Sequence, residues 1–162
     1  MQVQLVTKGW CKRSYRIIAD GLIIGQLDYA KSYLKKANAS INGIDFEIRR
    51  SGWWKHFIEI SSATHQEYNM RIPVSWRSRM EILDGKKNPY TFKSTSIWQT
   101  KWGWFDRYDR LLIEMRSKSF SKKKRGLINI KHQEMKDSLF WIIVSWFVIL
   151  CADSDGAAAA AA

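Results

Sequence analysis

"LFWIIVSWFVILC", Leu139–Cys151, is the most apolar run in the chain, and its reading decides the fold: it either crosses a bilayer or fills the inside of a folded domain. The uncharged positions extend over 139–152, fourteen residues. As a helix they span roughly 21 Å, whereas a hydrocarbon core of ~30 Å takes about 20 residues, so length favours a buried core helix. Trp146 sits in the middle of the run, while interfacial tryptophans belong at the ends of a span. Lys131 and Lys136 on one side and a short tail on the other would also suit a tail-anchored membrane protein, which stands as the second alternative. A helix apolar on every face has to be surrounded on every side. Its eleven large side chains, Leu139 to Val144 and Trp146 to Leu150, would gain about 15–30 kcal/mol on burial, an upper bound because an unfolded chain already hides part of that surface.

The rest of the chain reads as the wall. "YRIIADGLIIGQL" sets Asp20-Gly21 between two β-branched runs, and "ASINGIDFEIRR" repeats the device with Asn42-Gly43; both pairs supply the positive φ of a tight hairpin turn. Ile44, Phe46 and Ile48 alternate with Asp45, Glu47 and Arg49, one dry face and one wet. Asp84-Gly85 opens a third turn that Pro89 ends, and "DRLLIEMRSK" and "RGLINIK" read as two late strands. The expected fold is mainly β with one helix: a closed antiparallel β-barrel of about twelve strands around a central hydrophobic C-terminal α-helix. Closure would also remove the exposed strand edges. Residues 1–153 are expected to form a single domain, with strands to about 131 and the helix over about 133–152. Residues 154–162, ending in alanines, read as a low-complexity tail.

The hairpins "YRIIADGLIIG" (Tyr15 to Gly25) and "ASINGIDFEI" (Ala39 to Ile48), the late "DRLLIEM" strand and the closing apolar helix resemble the tubby C-terminal-like superfamily, which includes the plant LURP-one-related proteins and the phospholipid scramblases. The resemblance covers about residues 2–152. It implies the same barrel and a tie to membranes, since tubby domains bind phosphoinositides through a basic patch and scramblases act at membranes. The Pro-rich leader and the palmitoylated cysteine cluster of scramblases have no counterpart here, so the resemblance implies surface binding rather than lipid transport.

Lysine and arginine number 27 against 15 aspartate and glutamate, a net charge of +12, which favours partners bearing phosphate. Cys11 and Cys151 are too few and too far apart for a disulfide framework, and no secretory leader is visible. The expectation is a cytoplasmic monomer, peripheral at the inner membrane surface. No motif supports catalysis: phosphate-binding loops, nucleophile elbows and zinc-hydrolase signatures are absent. His65-Gln66-Glu67 matches half of a deaminase signature without its thiolates. His56 and Glu59, three apart on a strand, face opposite ways. Asp106 and Asp109 read as turn charges paired with Arg107 and Arg110. The chain is therefore expected to be no enzyme and to need no cofactor or metal.

Binding has more to stand on. Lys118, Lys122, Lys123, Lys124 and Arg125 form one cationic run, with no acid between Met115 and Gln133. Lys31, Lys35 and Lys36 form another, and Arg49, Arg50 and Lys55 flank Trp53 and Trp54. "KSTSIWQTKWGWF" adds Trp98, Trp102 and Trp104 near Lys93 and Lys101, although each tryptophan taken singly is expected in the core. Cations mixed with aromatics suit anionic lipid headgroups or, as the first alternative, a single-stranded nucleic acid. The candidate anionic-surface residues are Lys118, Lys122, Lys123, Lys124, Arg125, Arg49, Arg50 and Lys55. The sequence names no protein partner.

Overall fold

Asp20 and Gly21 adopt φ of 49° and 81°, and Asn42 and Gly43 repeat the same pair of values. Both central residues of each turn are left-handed, the geometry that matches the twist of a two-residue hairpin. Each turn sets the register of the two strands it joins. The computed structural model describes residues 2–7, 14–29, 36–52, 56–75, 79–84, 86–96, 100–117 and 124–160; among these, side chains are described outside 2–7, 124–125 and 156–160.

Twelve strands precede one long helix: β1 (Gln2–Thr7), β2 (Ser14–Ala19), β3 (Leu22–Tyr29), β4 (Lys36–Ile41), β5 (Ile44–Ser51), β6 (His56–Ser61), β7 (Met70–Ser75), β8 (Arg79–Leu83), β9 (Pro89–Ser94), β10 (Lys101–Phe105), β11 (Leu111–Ser117), β12 (Lys124–Ile130) and α1 (Ser138–Ala160). Among the described residues a 3-10 turn, Gln66–Tyr68, bridges β6 and β7. From β2 to β12 each strand pairs antiparallel with the next. This eleven-strand meander is by itself an open sheet, because β2 and β12 are not paired with each other among the described residues. β1 lies between them, with Val3 to Thr7 opposite Ala19 to Tyr15 of β2 and Gln2 to Val6 opposite Asn129 to Lys124 of β12. The strand order returns to its start only through β1. Closure, expected from the sequence as a property of the whole sheet, rests on that one strand.

A second narrow seam lies at β7–β8, where only Val74 with Met80 and Ser75 with Arg79 are in register. Pro73 sits on β7 just before that short ladder and opposite Phe57 of β6. Lacking an N–H, proline is tolerated where a strand has a neighbour to bond on one side only.

Along β2, β4 and β5 the burial alternates residue by residue, the period of two that puts one face inside. α1 fills that inside. Phe140, Ile142, Ile143, Val144, Trp146, Phe147, Val148 and Ile149 are all buried. The helix comes closest to β4, where the inward residues Ala37 and Ala39 are small. Larger rings occupy other parts of the interior: Trp104 lies edge-on to Trp141, and Phe92 stacks on Trp102 with centroids 5.4 Å apart. The one buried hydroxyl of the helix, Ser145, accepts a hydrogen bond from Trp104 Nε1 at 2.7 Å and donates to the Trp141 carbonyl at 2.6 Å, so its burial leaves neither group unpaired.

The helix differs from its expected bounds at both ends. It begins at Ser138 rather than near 133, because 131–137 turn the chain inward and Asp137 takes φ 54°. It then continues through "DSDGAAAA" to Ala160, the stretch expected to be a separate tail. The added turns make Ser138–Asp155 long and apolar enough, by length and composition, to cross a membrane, so the expected shortness of the run does not decide its place. Contact with the strands does: Phe46 against Phe140, Tyr15 against Trp146 and Tyr29 against Phe147 surround it from several sides.

Trp102 and Trp104 are fully buried, the fate expected of each tryptophan taken singly. The β10–β11 pair also holds a departure. The register slips between Trp104 and Phe105, so Phe105 faces Leu111 while Trp104 faces Ile113. Leu112 is the extra residue of this bulge, and it turns inward with Ile113 and Met115 rather than outward.

Candidate functional site

The meander divides its connections between two ends. At the end where α1 begins lie 20–21, 42–43, 62–69, 106–110 and 131–137; at the end where α1 finishes, β3, β5, β7, β9 and β11 end and β4, β6, β8, β10 and β12 begin.

The helix-start end is built from acids spent on turns. Asp84 accepts backbone N–H bonds from Lys86 and Asn88 at 2.8 and 2.7 Å and a side-chain bond from Asn88. Those bonds, the Asn88 side chain first, hold its carboxyl below the usual range. Asp106 accepts from the backbone of Tyr108 and Arg110, each at 2.9 Å, and pairs with Arg110 Nε at 2.7 Å. Arg110 in turn reaches Glu134. The expected pairing of Asp109 with an arginine of its own turn is replaced by Lys93 at 2.6 Å, and Arg107 donates to Asn88 Oδ1 instead. His65 and Glu67 meet at 3.2 Å across the 3-10 turn. No group of three His, Cys, Asp or Glu able to hold a metal occurs among the described residues.

Lys118, Lys122, Lys123 and Lys55 lie outside the described residues; Lys124 and Arg125 open β12. Arg49 and Arg50 do not form one patch, because neighbours on a strand point to opposite faces. Arg49 is on the outer face and bonds Glu59 at 2.7 Å. Glu59 also takes Ser51 Oγ at 2.7 Å and Arg71 at 3.3 Å, and the Ser51 bond, then Arg49, lowers its carboxyl. Arg50 is turned toward the interior with its side chain 21% exposed and pairs with Asp155 of α1 at 2.8 Å. It ties the helix to β5, where an exposed binding residue was expected.

Compared with protein-family models, curated proteins and solved structures, the chain matches none. Any functional reading therefore stands on its own residues.

The outer faces of β3 to β6 carry a shallow groove with Asp28, Asn38, Asp45 and Glu47 on its lining. Two of its acids are already engaged: Asp28 takes Ser14 and Gln26, and Glu47 pairs with Lys36 at 2.5 Å. Inside, near the helix-finish end, burial pushes the Cys151 thiol up to about 12 and raises Tyr29 well above an ordinary phenol. A neutral thiol is a poor nucleophile. In a Cys11→Ser variant, native protein at pH 8 should leave a disulfide reagent unreacted, and denaturant should release one reactive thiol. Rapid native labelling would mean that the C-terminal half of α1 is not packed as described. The linkage has a definite sign: the folded state favours the protonated thiol, so its stabilisation is complete below the unfolded pKa of about 8.5 and is lost as pH rises toward about 12.

Proposed function

We propose that the protein is a non-enzymatic, tubby-like barrel, closed by β1 around α1, that attaches peripherally to anionic phospholipid or phosphoinositide surfaces from the cytoplasmic side. The run Lys118–Arg125 carries this reading: it joins β11 to β12 without an acid in the joining segment. The described acids are largely engaged in turns and ladder ion pairs, so the cationic excess is left for a partner. Each such cation near an anionic surface contributes about 1 kcal/mol. α1, long enough to span a bilayer, is spent on the core, which favours peripheral attachment over a tail anchor.

Replacing Lys122, Lys123 and Lys124 together by alanine should leave the thermal transition within a few degrees and weaken flotation with phosphatidylserine vesicles about a hundredfold, the product of three such contributions. Undiminished flotation, or a need for detergent to keep the wild type in solution, would count against the reading.

A further inference from the structure

Among the described residues the large apolar side chains left exposed are Leu22, Ile23, Leu83 and Tyr108, each by more than half of its surface. All four lie at the helix-start end: on the 20–21 hairpin, at the close of β8 and in the 106–110 turn. One exposed leucine is ordinary on any protein; a set gathered at a single end of the sheet is not. Asp20 to Ile23 are exposed in succession, so the hairpin tip stands clear of the core that Ala19 enters. Tyr108 is tied to the turn that follows Leu83. Arg107 lies over its ring at 4.6 Å and donates to Asn88 Oδ1 at 3.0 Å, and Asn88 donates in turn to Asp84.

The charges beside these two apolar sites are opposite in sign. Asp20 precedes Leu22, whereas Lys86 and Lys87 follow Leu83, and all three are exposed. The described connections at this end (20–21, 42–43, 62–69, 84, 86–88, 106–110 and 131–137) hold six lysines and arginines against seven acids, near neutrality in a chain of net +12. Two copies repel through a cationic excess, so they meet at least cost at an end that has none. In the strand order, β4 to β7 separate the β2–β3 hairpin from the β8–β9 pair on one side, and β10, β11, β12 and β1 separate them on the other. Four strands either way set Leu22 and Leu83 across that end from each other.

We infer that two copies of the chain associate through their helix-start ends about a two-fold axis, with Leu22 and Ile23 of each copy against Leu83 and Tyr108 of the other. The same rotation brings Asp20 of each copy toward Lys86 and Lys87 of the other. A two-fold axis makes both contacts at once, because the surface is complementary to itself. Exposed tyrosine and arginine side by side suit a protein interface, and a near-neutral end offers little to an anionic bilayer. This association goes beyond membrane attachment and does not depend on it.

Sedimentation equilibrium of the full chain without lipid should show a reversible monomer–dimer equilibrium. Leu22→Asp and Leu83→Lys should each weaken the dimer about a hundredfold, since the axis repeats every lost apolar contact. Both positions are exposed, so each variant should melt like the wild type in dilute solution, which separates lost association from lost fold. In an equal mixture the two variants should pair with each other more tightly than either pairs with itself: one contact is then unaltered and the other sets Asp against Lys. Wild-type protein that stays monomeric up to its solubility limit overturns the inference. So does a dimer that both variants leave unchanged, or a mixture that associates no better than its components. A monomer whose binding to phosphatidylcholine vesicles both variants abolish would overturn it too, and assign the end to a lipid interface.

Discussion

Ile143→Asp should abolish folding. Ile143 has no exposed surface and lies on the helix that the strands surround, so its carboxylate would have neither water nor a partner. Such a group stays neutral by shifting its pKa upward by up to 3–5 units, at about 1.4 kcal/mol per unit, and the isoleucine's own burial, about 1.5–3 kcal/mol, is lost as well. The total, about 5–10 kcal/mol, matches the whole stability of an ordinary domain. The variant should express as insoluble protein or lack a cooperative thermal transition. Leu22→Asp, at a hairpin residue 70% exposed, should melt like the wild type and serves as the control. A folded Ile143→Asp protein with an unchanged transition would mean that α1 does not occupy the interior.

The second large effect belongs to Gly126. A Cβ built there would stand 2.6 and 2.7 Å from two ring atoms of Trp146 and 3.2 Å from the Arg116 carbonyl. Neither neighbour gives way easily: one is a fully buried indole and the other is backbone. Gly126→Ala should therefore cost about 3 kcal/mol, the upper part of the range for overpacking, and lower the melting temperature by roughly 6–12 °C for a domain of this size. Trp146→Phe should relieve the clash, and it removes an indole N–H that is buried without a hydrogen-bond partner among the described residues. The double variant should thus be more stable than Gly126→Ala alone, with a coupling of about 1–2 kcal/mol in a denaturation cycle. Strict additivity would mean that the strand and the indole are not in contact.

Much of this architecture was readable in the chain because its signals are local. Asp20-Gly21 and Asn42-Gly43 announce their turns in two residues, and the alternation from Ile44 to Ile48 announces its buried face. The apolar helix announces a core by having no polar side. What escaped was set by partners far along the chain. "QVQLVT" has no hairpin of its own to declare it a closing strand; its place comes from register with residues about 120 positions away. The helix runs past Ala152, where Arg50, about a hundred residues earlier, pairs with Asp155. Of the candidate site, the cations were legible as composition; that Arg50 turns inward to Asp155 was not, since its partner lies about a hundred residues away.

The placement of α1 after all twelve strands also bears on how the protein is made. A ribosome releases the wall before the element it wraps, so the inward faces of Ile17, Leu27, Ile48 and Trp104 meet no helix until residues 138–160 have emerged. β1, the earliest of these twelve strands, waits for β12, the latest of them. Contacts this distant in sequence make folding slow, and unpaired strands that wait are prone to aggregate. The nascent chain therefore carries an unclosed sheet, its apolar inner faces uncovered, until residues 138–160 have emerged.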